Sequence, residues 1–106
     1  MLSDHDGPSM ALVVRKDLKL SAGKLAVQCS HAAVSCSLQA KKSEARIFER
    51  WNNGGARKIC LSVKDEESLR ILMGQAKSAG IITNLVKDRL ARTHIEAGAI
   101  LLETCT

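Results

Sequence analysis

Aromatic residues are almost missing from this chain. Of 106 residues only Phe48 and Trp51 are aromatic, and there is no tyrosine. Recognition of single-stranded nucleic acid by stacking bases on aromatic platforms is therefore nearly closed to it. A polyanionic partner would have to be met through its phosphates and sugars. Long apolar runs are missing too: none approaches the roughly 18 to 20 residues that span a bilayer. The opening residues are polar and acidic, with Asp4 and Asp6, and show no secretory signal. A cytoplasmic protein with no membrane partner is the expectation.

Cysteine is present four times, but the spacing does not suggest a disulfide framework. Cys29 and Cys36 are seven residues apart on a predicted helix, roughly 10 Å along its axis and too far to bridge. Cys60 falls in a predicted buried strand and Cys105 at the end of the chain. Buried free thiols behave as small hydrophobes. Cys29 and His31 point to nearly opposite sides of the helix and cannot share a metal, so no metal site is proposed.

What remains is an ordinary single-domain composition, 45% hydrophobic and 25% charged, in a chain long enough to bury one modest core. The net charge of +5 and the pI near 9.3 suit a polyanionic partner. Residues 1–9 read as a disordered lead-in and 10–106 as one domain. Met10 to Arg15 is an apolar run of strand length. Ser21 is placed to cap a helix running to about Ala40, and Ser43 to cap a second, in which Ile47 and Trp51 lie one turn apart. Asn52, Asn53, Gly54 and Gly55 end that helix. Arg57 to Val63 alternates as a second strand. Asp65, Glu66 and Glu67 open a third helix, whose buried face is read as Leu69, Leu72, Ala76 and Ala79, with Gly80 as the stop. Ile82 to Lys87 and Ala99 to Glu103 complete the strands.

The first two connections contain helices and can cross over between parallel strands, whereas Asp88 to Gly98 is too short to do so. An α/β chain with a mixed four-stranded sheet is predicted, as a three-layer α/β/α sandwich whose last strand is antiparallel. Ligands in such sheets gather at the carboxyl ends of the parallel strands. Lys16 to Lys24 and Lys87 to Thr93 both belong to that edge.

One of those segments carries the chemistry. Lys24, Gln28, His31 and Ser35 are spaced by four, three and four residues, which places a cation, an amide and an imidazole in one stripe of the first helix. Leu25, Cys29, Ala32 and Cys36 form a separate stripe suited to packing on the sheet. Lys24 near a helix N-terminus joins its ammonium to exposed backbone amides, a place for a phosphate or a developing oxyanion. His31 is either a base or orienting group, or a histidine packed in the helix–sheet seam.

These residues resemble the archaeal and eukaryotic (type 2) family of peptidyl-tRNA hydrolases. The pattern is a strand ending in Arg, then Asp-Leu, then Gly-Lys-x-Ala-x-Gln-x-x-His-Ala. It is met here by Arg15, Asp17, Leu18, Gly23, Lys24, Ala26, Gln28, His31 and Ala32. Trp51 before a glycine turn, Lys58 with Ile59, and the stretch from Gly80 to Asp88 add to it. The resemblance implies an α/β/α domain that cleaves the ester joining a peptide to the terminal ribose of tRNA, with no metal or organic cofactor. Members are often dimers, so a homodimer is expected. Carried over by position, Lys24, His31, Asp88 and Thr93 are the catalytic candidates. Gln28 shares their face, and Arg15, Lys16, Lys19, Arg89 and Arg92 are candidate phosphate contacts around the mouth. No Ser–His–Asp arrangement is present, which favours direct attack by water. The chain departs from the family after the third strand. Asp88 to Thr93 reads DRLART, with four residues between acid and threonine rather than three. Where the family continues Pro-Gly-Thr-x-Thr, this chain has Ala97, Gly98, Ala99, Ile100 and Leu101. A catalytically weak relative that binds tRNA or a protein partner is the alternative.

Overall fold

The computed structural model describes residues 7–87 and 95–102. Within them the order is β1 (Ser9–Arg15), α1 (Ala22–Ser43), α2 (Ala45–Asn53), β2 (Lys58–Val63), α3 (Glu66–Ser78), β3 (Ile82–Lys87) and β4 (Ile95–Leu102). The strands form one mixed sheet in the order β2-β1-β4-β3. β1 and β2 are parallel, while β4 runs antiparallel to both β1 and β3. The expected fold class is therefore the observed one.

Alternation along the two central strands divides the core between two faces. Met10 on β1 and Ala99 and Leu101 on β4 pack with Ala32, Cys36 and Ala40 of α1 and Trp51 of α2. Ala11, Val13 and Ile100 turn the other way, onto Leu69, Met73 and Ala76 of α3. The contact residues of α1 are small, so that helix lies close to the sheet. Trp51 closes the base of the first cluster, its indole N–H donating to the Arg57 carbonyl at 2.8 Å. Phe48 sits beside it with ring centroids 6.0 Å apart. Both aromatics of the chain thus serve packing at the α1–α2 layer.

The local signals held where capping chemistry set them. The Ser21 side chain accepts from the Lys24 N–H to start α1, and Asp65 accepts from the Ser68 N–H to start α3. That bond and the Ser68 hydroxyl hold the Asp65 carboxyl below its ordinary pKa. Gly80, at φ 79°, takes the left-handed conformation that a helix stop requires.

Tertiary packing overrode the sequence reading at five places. Ser43 belongs to the last turn of α1 and donates to the Gln39 carbonyl, and Glu44 caps α2 without a side-chain bond. The buried face of α3 is Leu69, Met73 and Ala76, with Ala79 exposed at its end. Cys60 is exposed, because β2 is an edge strand with neighbours on one side only. Ser9 pairs with Leu102 and is buried together with Pro8, two residues counted in the lead-in from sequence. β4 begins at Ile95 rather than Ala99, since its pairing with β1 extends through Ala97.

The start of β4 is irregular. Val86 pairs with Ala97, but the next residue, Lys87, pairs with Ile95, which leaves Glu96 as an extra residue in a bulge. The peptide groups of Ile95 are held by side chains. Arg15 Nη1 donates to the Ile95 carbonyl at 2.9 Å, and the Ile95 N–H donates to Glu66 Oε2 at 3.3 Å. Arg15 also forks onto Asp17 at 2.9 and 2.7 Å and reaches Glu66 Oε1 at 3.4 Å. The hydrogen bonds that Arg15 donates to Asp17 lower the carboxyl pKa and raise the arginine's.

Two outcomes are expected. Arg15→Leu removes the donor to the buried Ile95 carbonyl, while Glu66 keeps its pairing with Arg70, and urea unfolding should show a loss of about 1–3 kcal/mol; unchanged stability would contradict the role of the clamp. Among the described cysteines, Cys60 should react first with a thiol reagent. Cys36, whose thiol burial pushes up to about 11, should react only on unfolding; equal rates in the native state would contradict this.

Candidate active site

The parallel strands β1 and β3 end at one edge of the sheet, and α1 begins there. Lys24 and His31 are exposed and Gln28 half-buried along the first turns of α1. They line a cavity of about 370 Å³ together with Leu20, Gly23, Val27 and Glu96. A second depression of about 390 Å³ adjoins it, bounded by Gln28, His31, Ser35, Leu85, Val86 and Lys87. Gln28 and His31 are common to both. The polar stripe read from helical spacing therefore faces open cavities, and His31 is not packed in the seam between helix and sheet.

The structure adds a residue that sequence spacing did not nominate. Gln28 Nε2 donates a hydrogen bond to Glu96 Oε1, joining α1 to the start of strand β4. Regular alternation would have turned Glu96 away. Gly98 and Ile100 face α3, the former with its missing Cβ directed at Met73, and Glu96 has their parity. The bulge changes that: Ile95 packs on the α3 side with Leu69 and Met73, and Glu96 emerges on the α1 side. No pattern of apolar and polar residues signals such a slip.

Arg15 is not at the cavity. Its side chain is 10% exposed and clamps β4 through Asp17, Glu66 and Ile95, which explains the arginine at the strand's end structurally. Lys16 and Lys19 are exposed on the loop between β1 and α1, Lys19 at a positive φ of 50°. Asp88, Arg89, Arg92 and Thr93 lie outside the described residues. The chain leaves β3 at Lys87 and returns at Ile95, both at the edge occupied by Lys24. Ala99 and Leu101, standing where the family pattern has threonines, are buried under α1 at 0% and 3% exposure. Those two positions belong to the core and not to the cavity lining. Among the described residues no three His, Cys, Asp or Glu side chains converge to hold a metal, and no helix is long and apolar enough to cross a membrane.

The constellation offers a cation at a helix start, an amide fixed to a carboxylate, and an exposed imidazole, all around one apolar-walled hollow. Such a set can place a carbonyl, neutralise an oxyanion and hold a water.

Comparison with known proteins agrees with that chemistry. The family described as "Peptidyl-tRNA hydrolase PTH2" matches residues 9–106. A peptidyl-tRNA hydrolase of Thermoplasma volcanium is 38% identical over 91 residues, covering 86% of this chain and 77% of the relative. The human protein named mitochondrial peptidyl-tRNA hydrolase 2 is 39% identical over 99 residues, covering 93% of this chain and 55% of the relative. A probable peptidyl-tRNA hydrolase 2 of Schizosaccharomyces pombe is 40% identical over 90 residues, with 85% and 43% covered. The chain thus spans about three quarters of the archaeal relative and about half of the eukaryotic ones. With nearly its whole length matched, the chain belongs to the PTH2 family of peptidyl-tRNA hydrolases.

Proposed function

We propose that the chain hydrolyses the ester between a peptide, or an N-blocked amino acid, and the 3′-terminal ribose of tRNA. The observation that carries this reading is the gathering of Lys24, Gln28, His31 and Glu96 around one cavity at the carboxyl edge of the parallel strands. Family membership supports it. Water attacks the ester carbon, the bond to the ribose oxygen breaks, and a proton is delivered to that oxygen. Lys24 stabilises the oxyanion or the adjoining phosphate, strengthened by the free amides of the α1 N-terminus. His31, which lines the same cavity, takes or relays the proton in this reading. Asp88 and Thr93 complete the catalytic set in this reading, from the segment that joins β3 to β4.

The tRNA body is held through phosphates by Lys16, Lys19, Arg89 and Arg92. Arg15 is left out because the clamp neutralises it. Phe48 and Trp51 are packed far along the chain from the cavity residues, which leaves stacking little part. A cytoplasmic location and a homodimer belong to the same reading; fractionation tests the first, given the mitochondrial names of mammalian relatives, and sedimentation the second.

The decisive assay is hydrolysis of N-acetyl-aminoacyl-tRNA. Lys24→Ala should lower kcat/KM by about 10²–10³ with the fold intact by circular dichroism. Tight binding of tRNA with no turnover by the unaltered chain would instead establish the binding-only relative. Affinity for tRNA should also fall with salt, with a logarithmic slope of about −0.7 to −0.9 for each phosphate neutralised. An affinity indifferent to salt would remove the phosphate contacts from the account.

A further inference from the structure

Gln28 and Glu96 form a pair whose chemistry permits one arrangement. An ionised carboxylate only accepts hydrogen bonds, so the Gln28 amide must present its nitrogen to Glu96. Its carbonyl oxygen is then directed to the other side of the planar group. Gln28 lines both hollows and has its neighbours Lys24 and His31 one turn away on each side. The bulge at Glu96 makes this possible, because in a regular strand the carboxylate would face α3. The Arg15–Glu66 grip on Ile95 holds the residue next to it.

We propose that Glu96 is a positioning residue for the hydrolysis: it turns the Gln28 carbonyl oxygen into the cavity, where that oxygen accepts one hydrogen of the attacking water. This rests on the hydrolase reading and adds to it the group that orients the nucleophile. Gln28 neither gains nor loses a proton. It holds one O–H of the water so that the lone pair faces the ester carbon, while another group takes the second proton. An oriented water matters in the transition state more than in substrate binding, so the effect falls on kcat. Without Glu96 the amide can turn over and present N–H groups to the water, which misdirects it.

The test is a cycle with Glu96→Ala, Gln28→Ala and the double variant on N-acetyl-aminoacyl-tRNA, with fold monitored by thermal melting. Each single variant should lower kcat by about tenfold to a hundredfold, with KM within about twofold. The double variant should be no slower than Gln28→Ala alone, because Glu96 acts only through Gln28. If Glu96→Ala fails to fold, Glu96→Gln serves, since it accepts or donates and lets the amide face either way; kcat should fall several-fold. The Gln28 side-chain NH2 resonances, displaced by the carboxylate in the unaltered protein, should move to ordinary amide positions in either Glu96 variant. A folded Glu96→Ala protein with kcat near that of the unaltered chain overturns the proposal, as does a double variant that multiplies the two losses. Failure of the unaltered chain to hydrolyse the substrate overturns the hydrolase reading itself, and the displaced resonances would then report only a structural pair.

Discussion

The grip of Arg15 and Glu66 on the peptide groups of Ile95 is the constraint on which the site depends. A strand that enters a sheet through a bulge loses regular partners at its first residues, and buried backbone groups left without partners are costly. Arg15 and Glu66 provide those partners from the end of β1 and the start of α3. The sheet can therefore accept an extra residue at Glu96 without fraying there. Three elements remote in sequence are tied at one point, and that point is next to the cavity.

From it follows the division of labour at the sheet's edge. Arg15 stands in the motif beside the catalytic candidates, yet its charge is answered by Asp17 and Glu66 and its geometry serves the fold. Lys24 is exposed at the start of α1, where it lines the hollow. The small residues Ala32, Cys36 and Ala40 bring α1 close to the sheet, so the polar stripe on its flank meets β4 directly. The departures from the family at Ala99 and Leu101 sit in this same layer, where an apolar side chain packs as part of the core.

Most of the fold was legible from local chemistry. The apolar run of β1, the Ser21 cap, the acidic opening of α3 and the Gly80 stop each depend on residues within a few positions, and each element appears where those residues place it. The antiparallel last strand followed from the shortness of the connection before it. The errors share a cause. Burial at Ser9, exposure at Cys60 and the identity of Met73 as a contact of α3 depend on which strands are central and which are edges, and that is a property of the assembled sheet. Within the site, Lys24, Gln28 and His31 were readable because one helix period relates them. Glu96 was not, since its direction inverts when one residue is added to one strand.

Short-range pattern, then, was sufficient for the elements, their order, the class of sheet and the polar flank of α1, because each is set by neighbours along the chain. Folding in three dimensions settled the rest: Arg15 became a clamp, Trp51 joined the core with Phe48 packed against it, and a carboxylate from β4 arrived opposite Gln28. These outcomes come from strand register and from the pairing of distant backbone groups, and neither is written in any local stretch of residues.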